Sequence, residues 1–290
     1  MALLKLRTDT MFSPLPAFLD GASVEVMPRT AAKVASFRPL LPAGTQVFVA
    51  HIDGTPATEM QATVARLAAE GFAPVPHIPA RIIPDAAALS AWVAAYRASG
   101  ARHALLLGGG LSRPSGPFHQ TMQLLDSGLF DDLDGVFVAG HPEGSRDIDP
   151  QGGEAGTTEA LLAKQDWSRR TGVPVTVVTQ FLFEPAPAIA WTERLQAAGV
   201  DLPIRIGVAG PAKLQTMIKY AVACGVGPSL RVLQRRARDL TRLMLPVTPD
   251  DMLLALARHK AAHPGWRVEG THLFPLGGIT AATDWLAAHR

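Results

Sequence analysis

Eight short apolar runs constrain the fold of this chain more than any other feature of its sequence. The runs are rich in β-branched residues and lie at 22–27, 45–52, 72–79, 103–109, 135–142, 174–183, 203–210 and 268–276. Short β-branched runs that alternate with longer helical patterns are typical of a parallel sheet covered by helices. Eight is the number of strands that a closed β/α barrel requires. The sequence therefore predicts an α/β fold, a (β/α)8 barrel of the TIM type.

The stretches between the runs have the pattern of amphipathic helices. Several end on a glycine, as in ATEMQATVARLAAEG and PAIAWTERLQAAG, which suits the left-handed residue that closes a helix. Residues 211–260 can hold two or three extra helices before the last strand. Barrels of this type commonly have about 250 residues in one unit, so we expect a single domain over 1–290. A doubly wound open sheet is the alternative, but no G-x-G-x-x-G turn opens a helix here.

Composition excludes several classes of protein. The chain is 48% hydrophobic and 18% charged, enough apolar residues for a substantial core, and its formal net charge of +2 gives no electrostatic case for a nucleic-acid partner. No apolar run approaches the roughly 20 residues of a membrane span, and the N-terminus lacks a signal-peptide pattern. Cys224 is the only cysteine, which excludes an intrachain disulfide. We expect a cytoplasmic protein, whose oligomeric state the sequence leaves open.

Polar residues gather where the predicted strands end. In a β/α barrel the functional site forms at the carboxyl ends of the strands, so side chains at those positions are the candidates. The polar residues at or just after the strand ends are Glu25, His51, Asp53, His77, Arg81, His141, Glu143, Gln180 and His272.

Glu25 is the candidate proton donor. It lies inside the apolar strand VEVMP, and burial raises the pKa of a carboxyl group, which suits it to donating a proton at neutral pH. The alternative is that the side chain points outward and forms an ordinary ion pair with a helix.

Two further strand ends suggest a binding site for a flat ring. Gly108, Gly109 and Gly110 directly follow the strand HALLL, and the missing side chains would let a ring or a phosphate lie against backbone amides. A plain flexible turn would have the same sequence. Gln180 follows VTVVT, and its amide suits an amide-bearing heterocycle such as a pterin. Alternatively, Gln180 forms hydrogen bonds with a loop backbone.

The sequence contains no strong signal for metal-dependent or nucleophilic catalysis. Of nine histidines, only His259 and His263 have a helical i, i+4 spacing, and the HKAAH segment lacks the glutamate of H-E-x-x-H. We expect a solvated helix face there and no catalytic metal. The absence of a G-x-S-x-G elbow and of a G-K-[ST] loop argues against a serine hydrolase and a P-loop enzyme.

An ordered set of segments resembles the methylenetetrahydrofolate reductase family, which consists of flavin-dependent β/α barrels. VEVMP is similar to the family's F-E-F-F-P strand, PHIPAR to the segment with its flavin-contacting histidine, and LLLGGG to its L-R-G-D loop. GHPEG is similar to Y-P-E, VTQFLF to T-Q-F-F-F, IGVAGPAKL to G-I-x-P, and GTHLFPLGG to the last strand. The resemblance extends over nearly the whole chain and depends on the order of the segments, since none of them is specific alone.

The resemblance implies a flavoprotein oxidoreductase of one-carbon metabolism that binds FAD and a tetrahydrofolate derivative. It would interconvert 5,10-methylenetetrahydrofolate and 5-methyltetrahydrofolate. Glu25 would donate or accept the proton, and Gln180 would position the pterin together with Leu214 and Phe274. The residues that the resemblance places at the flavin are Ala50, His51, His77, Leu107, Gly108, Gly109, Gly110, Ala139, His141, Glu143, Ser145 and Lys164.

The departures from the family pattern modify this expectation. The arginine and the aspartate of the flavin loop are Gly108 and Gly110 here, the tyrosine before P-E is His141, and the following histidine is Ser145. The aromatic residue of the open face is Leu214, which forfeits a stacking energy of about 0.5–1.5 kcal/mol. We therefore expect no use of NAD(P)H, and either oxidation of methyltetrahydrofolate with another electron acceptor or activity without a tightly held flavin. The alternatives are a non-catalytic folate or flavin carrier and a barrel oxidoreductase or lyase that acts on another pterin or on a small acid, with the glycine loop holding phosphate.

Overall fold

The structure, a computed structural model, describes residues 13–223, 227–236 and 246–290. Its centre is a closed barrel of eight parallel strands that pair in chain order, with the first strand against the last. The strands are β1 (Ser23–Val26), β2 (Gln46–Val49), β3 (Ala73–Pro79), β4 (His103–Leu107), β5 (Gly135–Gly140), β6 (Val175–Leu182), β7 (Ile204–Ala209) and β8 (Val268–Phe274). The predicted (β/α)8 TIM-type fold and all eight predicted strands are confirmed.

Helices surround the barrel. They are α1 (Leu15–Leu19), α2 (Pro28–Ala31), α3 (Ala57–Ala69), α4 (Ala86–Ala98), α5 (Thr121–Leu125), α6 (Ala155–Thr171), α7 (Pro185–Ala197), α8 (Leu214–Ala223), α9 (Gly227–Arg236), α10 (Asp250–Ala262) and α11 (Ile279–His289). The helices α8, α9 and α10 are the extra helices predicted before the last strand. Cys224 lies outside the described residues. Among the described residues, no helix is both long and apolar enough to cross a membrane.

Glycines end several helices as their positions in the sequence predict. Gly71 follows α3 with a φ of 93°, Gly172 ends α6 with a φ of 78°, and Gly199 follows α7 with a φ of 90°. Residues other than glycine rarely adopt such backbone angles, so a glycine here ends the helix at little energetic cost. At the other end of a helix, the Asp85 carboxylate accepts a hydrogen bond of 2.7 Å from the backbone N–H of Ala88 and caps α4.

The strand residues form two apolar layers. Side chains that point outward, such as Val24, Val47 and Leu106, pack with the helices in the main core. Side chains that point inward form a separate inner cluster of Phe48, Val75, Leu105, Phe137 and Val178, against which Leu107 packs. The inner cluster fills the middle of the barrel, as the side-chain layers of such barrels do. Polar residues that point inward are therefore confined to the two mouths.

Gly207 marks a tight approach between β7 and β6, where the strand pairing shifts register. A Cβ atom at Gly207 would lie 2.3 Å from the carbonyl oxygen of Thr179 and 2.8 Å from that of Gln180. Backbone oxygens in a ladder cannot move aside easily, so we expect Gly207→Ala to lower the free energy of unfolding by about 1–3 kcal/mol. Urea denaturation measures this change. Gly265→Ala is the matched control because its Cβ would meet no atom within 4 Å, and equal stability of the two variants would contradict the prediction.

Candidate active site

A carboxylate lies between two histidines toward the carboxyl ends of the strands. Glu25 on β1 points into the barrel, and its Oε2 lies 3.4 Å from Nε2 of His77 on β3 and 3.7 Å from Nε2 of His272 on β8. The Glu25 side chain is 20% exposed and the His77 side chain 11%, whereas His272 is only 1% exposed. Two imidazole nitrogens thus converge on one carboxylate oxygen. The alternative of an outward ion pair for Glu25 does not hold.

Buried neighbours orient the two histidine rings. Oγ of Ser23 lies 2.9 Å from Nδ1 of His272, and both residues are inaccessible to solvent. The ring of Phe48 packs 4.5 Å from the ring centre of His272 and 6.3 Å from that of His77. An ionised carboxylate only accepts hydrogen bonds, so His272 presents Nε2–H toward Glu25, and its Nδ1 accepts from the Ser23 hydroxyl. The Ser23 hydroxyl can donate to Nδ1, so it is compatible with the tautomer of His272 that directs Nε2–H toward Glu25.

The charge state of Glu25 differs from the one that its sequence context predicts. Burial by itself raises the pKa of the Glu25 carboxyl group, but the polar and charge interactions with His272 and His77 outweigh burial and lower that pKa to about 2. Burial lowers the pKa of His272, more than Glu25 raises it. The expected raised pKa was wrong because two imidazoles stabilise the charged form. At neutral pH Glu25 is a carboxylate beside a neutral His272, which is the protonation state that a base requires, and the low pKa makes this carboxylate a weak base until a substrate changes its surroundings.

At the end of β2, another histidine contacts an aromatic side chain. The ring of His51 stacks on Trp92 of α4 at a centroid distance of 5.5 Å and an interplanar angle of 15°. Nδ1 of His51 is buried without a hydrogen-bond partner in the part of the chain that the structure describes, and burial lowers the pKa of this imidazole. Ala50 beside it is buried. His51 is therefore a neutral side chain with unused hydrogen-bonding capacity.

The glycine loop after β4 forms hydrogen bonds with the turn that follows β3. The backbone N–H of Arg81 donates to the carbonyl oxygen of Gly108 over 3.0 Å, and the Arg81 guanidinium donates to Gly109 O and to both carboxylate oxygens of Asp147. Gly109 has a φ of 91°, and a Cβ there would lie 3.0 Å from Pro79 Cβ. The glycine run is thus explained in part by this close approach, and Gly110 next to it is exposed.

A buried lysine lies near the end of β5. Lys164 on α6 is 8% exposed, and burial lowers its pKa to about 8. Burial, and then the charge of Lys164, lower the pKa of His141 to about 4. No ion pair joins Lys164 to a carboxylate within the described ranges. Ala139 at the end of β5, and Glu143 and Ser145 in the loop that follows, are half-buried. This side of the mouth offers a cation beside a neutral imidazole.

The burial of Lys164 carries a cost that can be measured. Because its pKa is lowered in the folded state, the unfolded chain binds more protons between about pH 8 and 10.5, and the stability contributed by this residue rises with pH across that window. We expect Lys164→Met to raise the free energy of unfolding at pH 7 by up to about 3 kcal/mol, and the gain to shrink as the pH approaches 10.5. Urea denaturation at pH 7 and pH 10 measures both effects. Lys219→Met, at an exposed position of α8, is the control, and a less stable Lys164→Met variant at pH 7 would contradict the expectation.

The remaining predicted site residues are spread over β6, α8 and β8. Phe274 at the end of β8 lies with its ring centre 4.7 Å from that of His272 and 5.6 Å from that of Phe181. Leu214 at the start of α8 is 1% exposed in a second apolar cluster, so it presents no open face. Gln180 is half-buried near the end of β6, three strands from β1 around the closed barrel. Contact of Leu214 and Gln180 with a ligand stays a prediction.

The alternation of side chains along two strands is a sequence signal for further members of the site. Ser23 and Glu25 lie two residues apart on β1, and His272 and Phe274 lie two residues apart on β8, so each pair shares a strand face. This alternation predicts that Ser23 and His272 point inward with Glu25. The stacking partner of His51, Trp92, belongs to a helix, and no local pattern indicates that contact.

The two histidines at the carboxyl end of α10 pack against each other. The rings of His259 and His263 stack at 4.1 Å, and His259 also packs against Trp266 at 4.7 Å. The predicted solvated face therefore holds for the exposed His263 and not for the half-buried His259. Over the ranges 13–223, 227–236 and 246–290, no group of three or more His, Cys, Asp or Glu side chains is arranged to hold a metal ion.

Comparison with known proteins gives distant similarities. No family model matches the chain. A phosphonopyruvate hydrolase solved with oxalate and Mg²⁺ is 12% identical with a TM-score of 0.44, over 95% of this chain and 83% of that one. An oxaloacetate acetylhydrolase is 13% identical with a TM-score of 0.47, over 92% and 78%. A 2,3-dimethylmalate lyase, described as a member of the PEP mutase/isocitrate lyase superfamily, is 10% identical with a TM-score of 0.46, over 98% and 83%. Similarities at this level assign no reaction to this chain.

The predicted membership of the methylenetetrahydrofolate reductase family was wrong. No family model matches, and the solved structures named above are hydrolases and a lyase. The expectations that followed from the resemblance fall with it: a flavin-dependent oxidoreductase, FAD as cofactor and a tetrahydrofolate derivative as ligand. The same finding removes the folate or flavin carrier and the enzyme that acts on another pterin. The positions of the site residues stand independently of the family, because they rest on the barrel.

Proposed function

We propose that this protein is an enzyme that transfers a proton on a small anionic substrate at the carboxyl-end mouth of its barrel, with Glu25 as the base. The observation that carries the proposal is the convergence of His77 and His272 on one oxygen of Glu25, at 3.4 Å and 3.7 Å. Three titratable groups in a barrel interior cost more to bury than apolar residues of similar size. Buried groups with shifted pKa values, such as Glu25 and His272, concentrate at functional sites.

The three side chains have different parts in this proposal. Glu25 is ionised at neutral pH and partly exposed, so its carboxylate can accept a proton from a bound substrate. His77 is more exposed than His272, and its imidazole is the group that passes the proton on toward solvent. His272 is held by Ser23 and keeps an N–H directed at Glu25. Catalytic hydrogen bonds often shorten only when substrate binds, which accommodates the long distances seen here.

The substrate class follows from Lys164. An ammonium group that is almost fully buried, and that forms no ion pair with another described residue, is suited to holding a carboxylate or a phosphate. Strand β5, beside which Lys164 lies, is four strands from β1 in the ring of eight. A substrate with its anionic group at Lys164 and its reacting atom at Glu25 would therefore span the mouth. The residues proposed to line the mouth between them are Ala50, His51, Leu107, Gly108, Gly109, Gly110, Ala139, His141, Glu143, Ser145, Gln180 and Phe274.

Hydrogen–deuterium exchange on a panel of small anions tests this proposal. The protein is mixed in D2O with a series of 2-oxo acids, hydroxy acids and phosphate esters, and proton NMR follows the loss of individual C–H signals. We expect at least one anionic member to exchange, and its methyl ester or its dephosphorylated form to exchange at least about tenfold more slowly, as for a lost charge-assisted contact. Equal rates for the two forms would overturn the anionic substrate. No exchange of any member would overturn the proton transfer.

A further inference from the structure

A second group of polar side chains lies at the opposite, amino-terminal mouth of the barrel. Gln46 and His103 are the first residues of β2 and β4, and Arg205 is the second residue of β7. The guanidinium carbon of Arg205 lies 5.4 Å from the ring centre of Phe137, and the His103 ring centre lies 6.0 Å from the same ring. Phe137 belongs to the inner cluster. The three polar side chains therefore sit beneath the inner cluster, on the side away from Glu25.

Arg205 brings a positive charge into this mouth. Its Nη1 is inaccessible and makes no hydrogen bond to any described residue, and no ion pair joins Arg205 to a carboxylate in the described part of the chain. The exposed Glu269 on β8 raises the pKa of Arg205, but burial outweighs it and lowers that pKa. A buried guanidinium donor that remains unpaired is costly, because it has lost its hydrogen bonds to water and gained none in exchange.

Gln46 adds a second unpaired atom to the same mouth. Its Oε1 is inaccessible and has no hydrogen-bond partner among the described residues. Natural proteins leave few buried polar atoms unpaired. A single small group with several oxygens would pair both, since the Gln46 amide can turn its NH2 toward the same group. His103 is half-buried beside them and offers one more ring nitrogen.

We propose that the amino-terminal mouth of the barrel binds a small oxyanion, a carboxylate or a phosphate, on the guanidinium of Arg205. Guanidinium donors lie in one plane and match the oxygens of such anions in pairs. The Gln46 amide and the His103 ring supply the remaining hydrogen bonds. This site is distinct from the proposed active site, and its existence does not depend on the reaction at Glu25.

Titration of anions into a variant that lacks the Lys164 ammonium group tests the site at the amino-terminal mouth. Phosphate and acetate are titrated into the full-length Lys164→Met variant at constant ionic strength, with sodium chloride as the reference salt, and the melting temperature is followed. We expect a saturable rise with phosphate, acetate or both that chloride does not give. Adding Arg205→Gln should weaken the apparent affinity at least about tenfold, as for a lost charge-assisted pair, whereas Arg29→Gln at an exposed position of α2 should leave it unchanged.

Two further measurements keep the test decisive. If Arg205→Gln does not fold, Arg205→Lys retains the charge but not the planar pair of donors and should still weaken binding. NMR of the Arg205 side chain in the Lys164→Met protein should show its Nε–H signal shift on anion addition. An unchanged signal, or a response equal to that of chloride, would mean an adventitious ion only and would overturn the site. Glu25→Gln should bind the anion as before, so failure of the proposed reaction would not affect this result.

Discussion

Replacement of Glu25 by glutamine is expected to lower kcat for the proton-transfer reaction by about 10²–10⁴-fold while KM changes only a few-fold. The amide has nearly the shape of the carboxylate but cannot accept the proton, and it cannot stabilise a protonated imidazole. The measurement is the rate of C–H exchange by NMR at pH 7 for the best compound of the panel. A rate within threefold of wild type would show that Glu25 is not the base.

The control separates chemistry from folding. Glu159→Gln makes the same chemical change at an exposed position of α6 and should retain full activity.

The Glu25→Gln variant should also lose the stability that the low pKa of Glu25 provides. That contribution is present above pH 4.5 and is lost as the pH falls toward about 2, because the folded state releases the proton more readily than the unfolded state. The stability difference between wild type and Glu25→Gln should therefore narrow as the pH falls from about 4.5 to about 2.

Replacement of Phe48 by alanine is expected to lower the free energy of unfolding by about 3–5 kcal/mol. Phe48 is completely buried, and its ring packs 4.9 Å from Phe137 and 4.5 Å from His272. The inner cluster is enclosed by the strands and cannot collapse onto the space left behind. The same change frees the ring of His272 to leave its orientation toward Glu25, so the exchange rate should fall as well.

Urea denaturation and the exchange assay together check the role of Phe48. Ile52→Ala is the control, since the Ile52 side chain is 52% exposed and its truncation should cost less than about 0.5 kcal/mol. A loss of less than about 1.5 kcal/mol for Phe48→Ala would be below the range measured for buried aromatic truncations. Such a result would show that the inner cluster is not the packing unit described here.

The barrel could be predicted from the sequence because each strand carries its own signal. Short β-branched runs such as HALLL and the glycines after the helices are local features, and all eight runs became strands. The positions of Glu25 and His77 at strand ends were predictable for the same reason. The barrel then brought them together, because strands β1 and β3 are separated by one strand only.

The charge state of the site and the family could not be predicted in this way. The pKa of Glu25 depends on His272, which is contributed by the last strand, and a local apolar context gives the opposite sign. The segments that suggested a reductase consist mainly of strand ends and glycine turns, such as LLLGGG and GHPEG. Strand ends and glycine turns recur in barrels of this type whatever reaction they carry out, so these segments report the architecture and not the reaction.

The pairing of β1 with β8 has a consequence for how the protein acquires its site. Ser23 and His272 meet across this pairing although 249 positions separate them in the chain. Contacts between such distant residues form slowly, since a long loop must be closed before any energy is gained. Ring closure and the completion of the proposed proton-transfer centre are therefore the same event, and we expect a nascent or partly unfolded barrel to lack the proposed activity.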